Sequence, residues 1–277
     1  MKKKFFFIIL MLSFIYSCEN ISGDKPQTQN LFHQKDTSQI LQVRTETTDS
    51  SKNIPKELII EKYIPFREQN SQFIISRFYP VGWSEEGLFA YAIEPPDEAC
   101  GCYFFEFYIK NLNTQQLLWE FKFETQYDYD LPIEEQIDFK RFWQSREAFF
   151  NSKLDSLGII RDFSAKKMEF PIKIDKQKIL NPELKTKYTK DQDASFGFEF
   201  MTHLEINLSV SSLKKQSIYK KTFDEFGPIE SSILGYLQNP FGNQIAILLE
   251  TTYRGWEGPP HPINIEIVGI NPKSYLH

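Results

Sequence analysis

The segment Asp97-Glu98-Ala99-Cys100-Gly101-Cys102 places two thiols one residue apart behind two carboxylates. Three kinds of chemistry are open to it. In an oxidising compartment a pair of cysteines most simply forms a disulfide, and the glycine between them tolerates the backbone angles of so small a ring. The pair could instead be redox-active, although no thioredoxin-like βαβ pattern surrounds it. Two thiolates joined by a carboxylate or a distant histidine could also hold a soft cation. Of the four histidines, His261 lies in a loop suited to that role, whereas His33 is in a polar leader, His203 in a strand-like run and His277 is the last residue.

The second pointed segment is Arg254-Gly255-Trp256-Glu257-Gly258-Pro259-Pro260-His261-Pro262. Its glycines and prolines set a rigid loop that would present Arg254, Trp256, Glu257 and His261 as one binding surface. Trp256 would supply stacking area, with Arg254 or Glu257 orienting a polar ligand or a peptide. The competing expectation is a turn whose tryptophan covers the end of a sheet. Acidic runs at Asp128-Tyr129-Asp130 and Asp191-Gln192-Asp193 lack the spacing and glycine of a calcium loop and read as solvated loops.

Familiar catalytic signatures are missing. The chain has no His-Glu-x-x-His, no phosphate-binding Gly-rich loop and no G-x-G-x-x-G; Gly82-Trp83-Ser84-Glu85-Glu86-Gly87 is mis-spaced for a nucleophile elbow, so Ser84 reads as a turn residue. No catalytic residue, cofactor or resident metal is assigned. A net charge of −5 argues against nucleic acid as a partner.

The elements that must position these loops are mainly strands. Aromatic residues make up 16% of the chain, with 26 Phe and 13 Tyr, which suits sheets. Runs of β-branched and aromatic residues predict strands over 58–64, 72–78, 88–93, 103–109 and 117–123, and again over 167–174, 196–210, 217–223, 233–237, 244–251 and 263–270. One helix is predicted over 132–157, opened by Pro132, followed by Gly158, and buried along Ile133, Ile137, Phe142, Phe149 and Leu157. The series also repeats: Val81-Gly82-Trp83, a polar turn and Phe89-Ala90-Tyr91 match Leu234-Gly235-Tyr236, a polar turn and Ile245-Ala246-Ile247. The fold class expected is mainly β, with repeated antiparallel β-meanders in a two-sheet or partial-propeller body and one inserted amphipathic helix. The two pointed loops fall at equivalent places in the repeats, which would put them at one end of the body.

The Gly-Trp-Ser-x-x-Gly turn resembles the blade turns of TolB-type and WD-like β-propellers, and the segment around Gly255-Trp256-Glu257-Gly258 is similar to the closing part of predicted secreted proteins of spirochaetes. The N-terminus carries a more specific pattern. Lys2, Lys3 and Lys4 precede an apolar run from Phe5 to Tyr16, too short to span a bilayer, and Ile15-Tyr16-Ser17-Cys18 follows. That sequence resembles the lipobox of bacterial lipoproteins, although Tyr16 stands where a small or branched residue is preferred. The resemblance implies cleavage before Cys18 and lipidation of Cys18, hence a membrane partner through lipid and a place in the cell envelope, the outer membrane favoured. Removing Lys2, Lys3 and Lys4 with the signal turns −5 into −8.

The expected organisation is a signal peptide (1–17), a lipidated flexible tether (18–56), a first β-meander unit (57–131), a helical insertion (132–158) and a second unit (159–277). The function expected is non-enzymatic: binding of an envelope protein or component, with a thiol-redox or metal-handling role for Cys100 and Cys102 as the alternative.

Overall fold

The computed structural model describes residues 53–64, 72–98, 100–132, 135–173, 179–190, 199–210, 214–223 and 226–275. The signal, Cys18, residues 18–52 of the tether and the run at 191–193 lie outside the described residues, while the last tether residues, 53–56, are described, with Pro55 buried and Ile54 packed against the core that holds Phe142 and Trp143.

The strands are β1 (Phe73–Ile75), β2 (Arg77–Trp83), β3 (Leu88–Glu94), β4 (Cys102–Asn111), β5 (Leu117–Gln126), β6 (Ile160–Arg161), β7 (Ile172–Lys173), β8 (Ile179–Lys190), β9 (Glu199–Val210), β10 (Lys214–Thr222), β11 (Glu230–Gln238), β12 (Ile245–Thr252) and β13 (His261–Ile270), with α1 (Phe139–Ser156) between β5 and β6. They form three sheets, of order β5-β4-β3-β2-β6, β1-β13-β12-β11 and β10-β9-β8-β7, antiparallel throughout except where β1 runs parallel to β13. Among the described residues the body is therefore mainly β, built from meanders with one α-helix, as the sequence predicts.

The three cores fix the layer order. Helix α1 packs on the first sheet through Phe139, Phe142, Trp143, Phe150 and Leu154. The opposite face of that sheet meets the β1/β11–β13 sheet, whose far face meets the β7–β10 sheet. The sheet made last in sequence thus sits in the middle of the stack. β3 and β12, buried along their whole length, carry the size pattern that this requires. On β3 the large residues Phe89, Tyr91 and Ile93 point to the middle sheet, while Ala90 and Ala92 leave room for the aromatic face of the helix. Two short strands tie segments together: β1 extends the middle sheet, and β6 extends the first sheet along β2.

The repeat in sequence is a repeat in structure. β2 bulges between Pro80 and Gly82 where it pairs with β3, and β11 bulges between Ile233 and Gly235 where it pairs with β12. Both glycines lie against a passing backbone, Gly82 against Ile160 and Gly235 against Met168.

Some expectations are revised. Residues 58–64 hold a 3-10 turn at Glu61–Tyr63, with Leu58, Ile60 and Tyr63 buried, instead of a strand. The helix begins at Phe139, because the Asp138 carboxylate caps it by accepting the Arg141 N–H at 2.7 Å. Pro132 opens a separate turn in which its carbonyl accepts the Glu135 N–H at 2.8 Å. Phe149 is 51% exposed, and Phe150, about 100° further round the helix, is buried in its place.

Candidate functional site

At one end of the stack the repeat turns interlock. Asn239 Nδ2 of the β11–β12 turn donates to the Ser84 carbonyl of the β2–β3 turn at 2.8 Å, and Asn271 Nδ2 donates to Asn113 Oδ1 at 3.3 Å. Ser84 serves the turn itself, its Oγ accepting the Leu88 N–H at 3.0 Å. Since β3 and β12 both run away from this joint, the segments that follow them, from Pro95 and from Tyr253, both leave from the opposite end. The placement expected from the repeat is the one observed.

In the first loop, one carboxylate organises the backbone. Asp97 Oδ1 accepts the Cys100 N–H at 3.0 Å and Asp97 Oδ2 accepts the Cys102 N–H at 2.9 Å. The Tyr127 N–H donates to the Gly101 carbonyl at 2.8 Å, anchoring the loop to the chain leaving β5. Gly101 has φ +63°, a left-handed conformation that glycine accepts without cost, and its missing side chain makes room for the Tyr129 ring. The Cys100 and Cys102 sulfurs form a close pair, with Cα atoms 5.3 Å apart. Antiparallel pairing sets Glu124 opposite Phe104, and the Glu124 carboxylate comes within 4.8 Å of both sulfurs. The carboxylate partner that the sequence left open is thus Glu124, not a histidine.

The second loop is braced by His261. Its Nδ1 accepts the Gly255 N–H at 3.1 Å, while its own backbone N–H donates to the Gln72 carbonyl at 2.6 Å. The imidazole that looked like a ligand is a loop strut. Trp256 is 92% exposed, so it does not cover a sheet end. Arg254 and Glu257 flank it on the same loop, both exposed.

Between the first and middle sheets, beside Pro95, lies a cleft of about 310 Å³ lined by Tyr91, Glu106, Tyr108, Asn264 and Glu266 among others. Its carboxylates already have partners: Tyr108 Oη donates to Glu106 at 2.6 Å, and Tyr219 Oη and Lys221 Nζ donate to Glu266 at 2.5 and 2.8 Å. Burial next to these carboxylates pushes the Tyr91 and Tyr108 hydroxyls well above their usual range. Both tyrosines stay neutral donors at any physiological pH.

The sequence reading missed the buried glutamates. Glu94, at the foot of the first loop, accepts the Tyr79 hydroxyl at 2.5 Å, with Arg77 Nη1 3.8 Å away. Glu250 accepts the Tyr63 hydroxyl at 2.6 Å and Ser232 Oγ at 3.1 Å, and pairs with Lys62. A glutamate directly after an apolar run, as in Tyr91-Ala92-Ile93-Glu94 and Leu248-Leu249-Glu250, was the available signal.

Desolvation raises the Glu94 carboxyl above its ordinary 4.5, opposed by the Tyr79 hydrogen bond and the Arg77 charge. An acid with a raised folded value contributes stability that is fully present below its unfolded value and is lost as pH rises through the folded one. The stability of wild type relative to Glu94→Gln is therefore expected to fall as pH is raised from below 4.5. Urea unfolding of both proteins across a pH series checks this. A difference that stays flat, or grows with pH, would contradict it.

No family model, curated protein or solved structure matches this chain.

Proposed function

We propose that this chain is a lipid-anchored cell-envelope protein whose β body is a non-enzymatic binding module, engaging an envelope protein or other envelope component through the loop that carries Trp256. The anchor rests on Lys2 to Cys18: a charged start, a short apolar run and a cysteine directly after Ser17. Two or more acyl chains at Cys18 would hold the protein at a membrane, the outer one favoured, without any spanning segment.

The observation that carries the binding reading is the exposure of Trp256 on a loop whose backbone is fixed by His261. An exposed indole on a pre-set loop contributes nothing to the core, and burying it against a partner is among the larger single gains available to an interface. Because the loop is already ordered, little ordering entropy opposes association.

The test is affinity capture from the native envelope with wild type and Trp256→Ala, followed by binding measurements on the recovered component. Trp256→Ala is expected to weaken binding by about tenfold to thirtyfold, equivalent to roughly 1.4–2 kcal/mol, with thermal unfolding unchanged. Equal affinity of the two proteins for every recovered component would refute the reading.

A further inference from the structure

We propose that Cys100, Cys102 and Glu124 form a redox-gated site for a borderline-soft divalent cation of the zinc type. The three donors, two sulfurs and one carboxylate oxygen, all lie within 4.8 Å of one another. A tetrahedral zinc ion with Zn–S of about 2.3 Å and Zn–O of about 2.1 Å holds its donors about 3.5–3.8 Å apart, so modest side-chain rotation brings all three onto one ion and leaves the fourth position to water. The ligand set is matched to that class of metal, since two thiolates reject hard cations such as Mg²⁺ and the carboxylate is acceptable to zinc.

The backbone is prepared for this whether or not the sulfurs are bonded. The hydrogen bonds from Cys100 N–H and Cys102 N–H to Asp97, and from Tyr127 N–H to the Gly101 carbonyl, involve no sulfur. On reduction the loop therefore keeps both thiols beside Glu124. With the sulfurs joined as a disulfide, neither can act as a thiolate ligand and the site is closed. An external dithiol opens it: the Cys100–Cys102 bond takes up two electrons and two protons, the dithiol leaves as its own disulfide, and the entering cation displaces the two thiol protons. The site is separate from Trp256, so it stands or falls independently of the binding reading.

The test uses the full chain with Cys18→Ser, so that Cys100 and Cys102 supply all the thiol, and Co²⁺ as the probe. Reduced protein is expected to bind one Co²⁺ per chain with thiolate-to-cobalt charge-transfer absorption, and Zn²⁺ to displace it. Unreduced protein is expected to stay silent until a dithiol is added. Glu124→Gln, a change on the exposed edge of the sheet, is expected to raise the dissociation constant at least about tenfold with the circular dichroism spectrum unchanged. No charge-transfer band on reduction, a band before reduction, or the same affinity in Glu124→Gln would each overturn the proposal.

Discussion

Phe150→Ala is expected to lower the unfolding free energy by about 3–5 kcal/mol, the largest loss among the changes considered. Phe150 is fully buried, and its ring lies 5.0 Å from Trp143, 5.1 Å from Phe107, 5.4 Å from Phe121 and 5.6 Å from Phe105. Those partners come from the helix and from two strands, so the ring closes the joint between layers. Truncation leaves a void that the facing strand fills poorly, because β3 sets Ala90 and Ala92 against the helix and neither side chain is large enough to move in. Phe149→Ala supplies the control. Its ring is half exposed, and loss of about 1 kcal/mol or less is expected despite the identical atoms removed. Equilibrium urea unfolding measures both, and near-equal losses would mean that α1 does not present Phe150 to the sheet.

That contrast marks where the sequence was legible and where it was not. Most strand positions from 72 onward were readable because β-branched and aromatic runs are bounded by turn residues, although of the strand expected over 167–174 only Ile172–Lys173 and an isolated bridge at Met168 form; the doubling of Gly-aromatic turns foretold two matched meanders. The helix was found but its face was misjudged by one residue: Phe149 and Phe150 are both phenylalanine, and the sheet alone decides which is buried. Its start was misplaced because Pro132 suits a first turn as well as Asp138 suits a cap. β8 was missed because Pro182 and an alternation of lysine with threonine and tyrosine look like loop, although the pattern is that of a strand with one wet face. Of the site, Cys100, Cys102 and the 254–262 loop were visible as residue types. Glu124 was not, since its approach depends on the β4–β5 register, and Glu94 and Glu250 were hidden because their tyrosine partners are 15 and 187 residues away in sequence. Local chemistry is written locally; the partner that completes it is set by which strands pair.

The same dependence on pairing makes Gly235→Ala the second large effect, expected to cost about 2–4 kcal/mol. Two penalties act together. Gly235 has φ +136°, which a residue with a Cβ adopts only under strain, and an added Cβ would stand 2.5 Å from the Met168 carbonyl oxygen. That oxygen cannot retreat freely, because Met168 exchanges two backbone hydrogen bonds with Tyr236, at 2.8 and 2.9 Å. Gly82→Ala meets the equivalent obstacle in the first meander, an added Cβ standing 2.4 Å from the Ile160 carbonyl oxygen, but Gly82 is not among the glycines of positive φ, so a smaller loss of about 1–3 kcal/mol is expected. Both glycines press on one stretch of chain, which follows β2 at Ile160–Arg161 and then bridges to β11 at Met168. Dislodging that stretch at one bulge removes part of what the second substitution could still break. The double variant is therefore expected to lose less than the sum of the single losses, by at least about 0.5 kcal/mol. Full additivity in urea unfolding would mean that the two contacts are independent, and that the connecting chain does not couple the first sheet to the middle one.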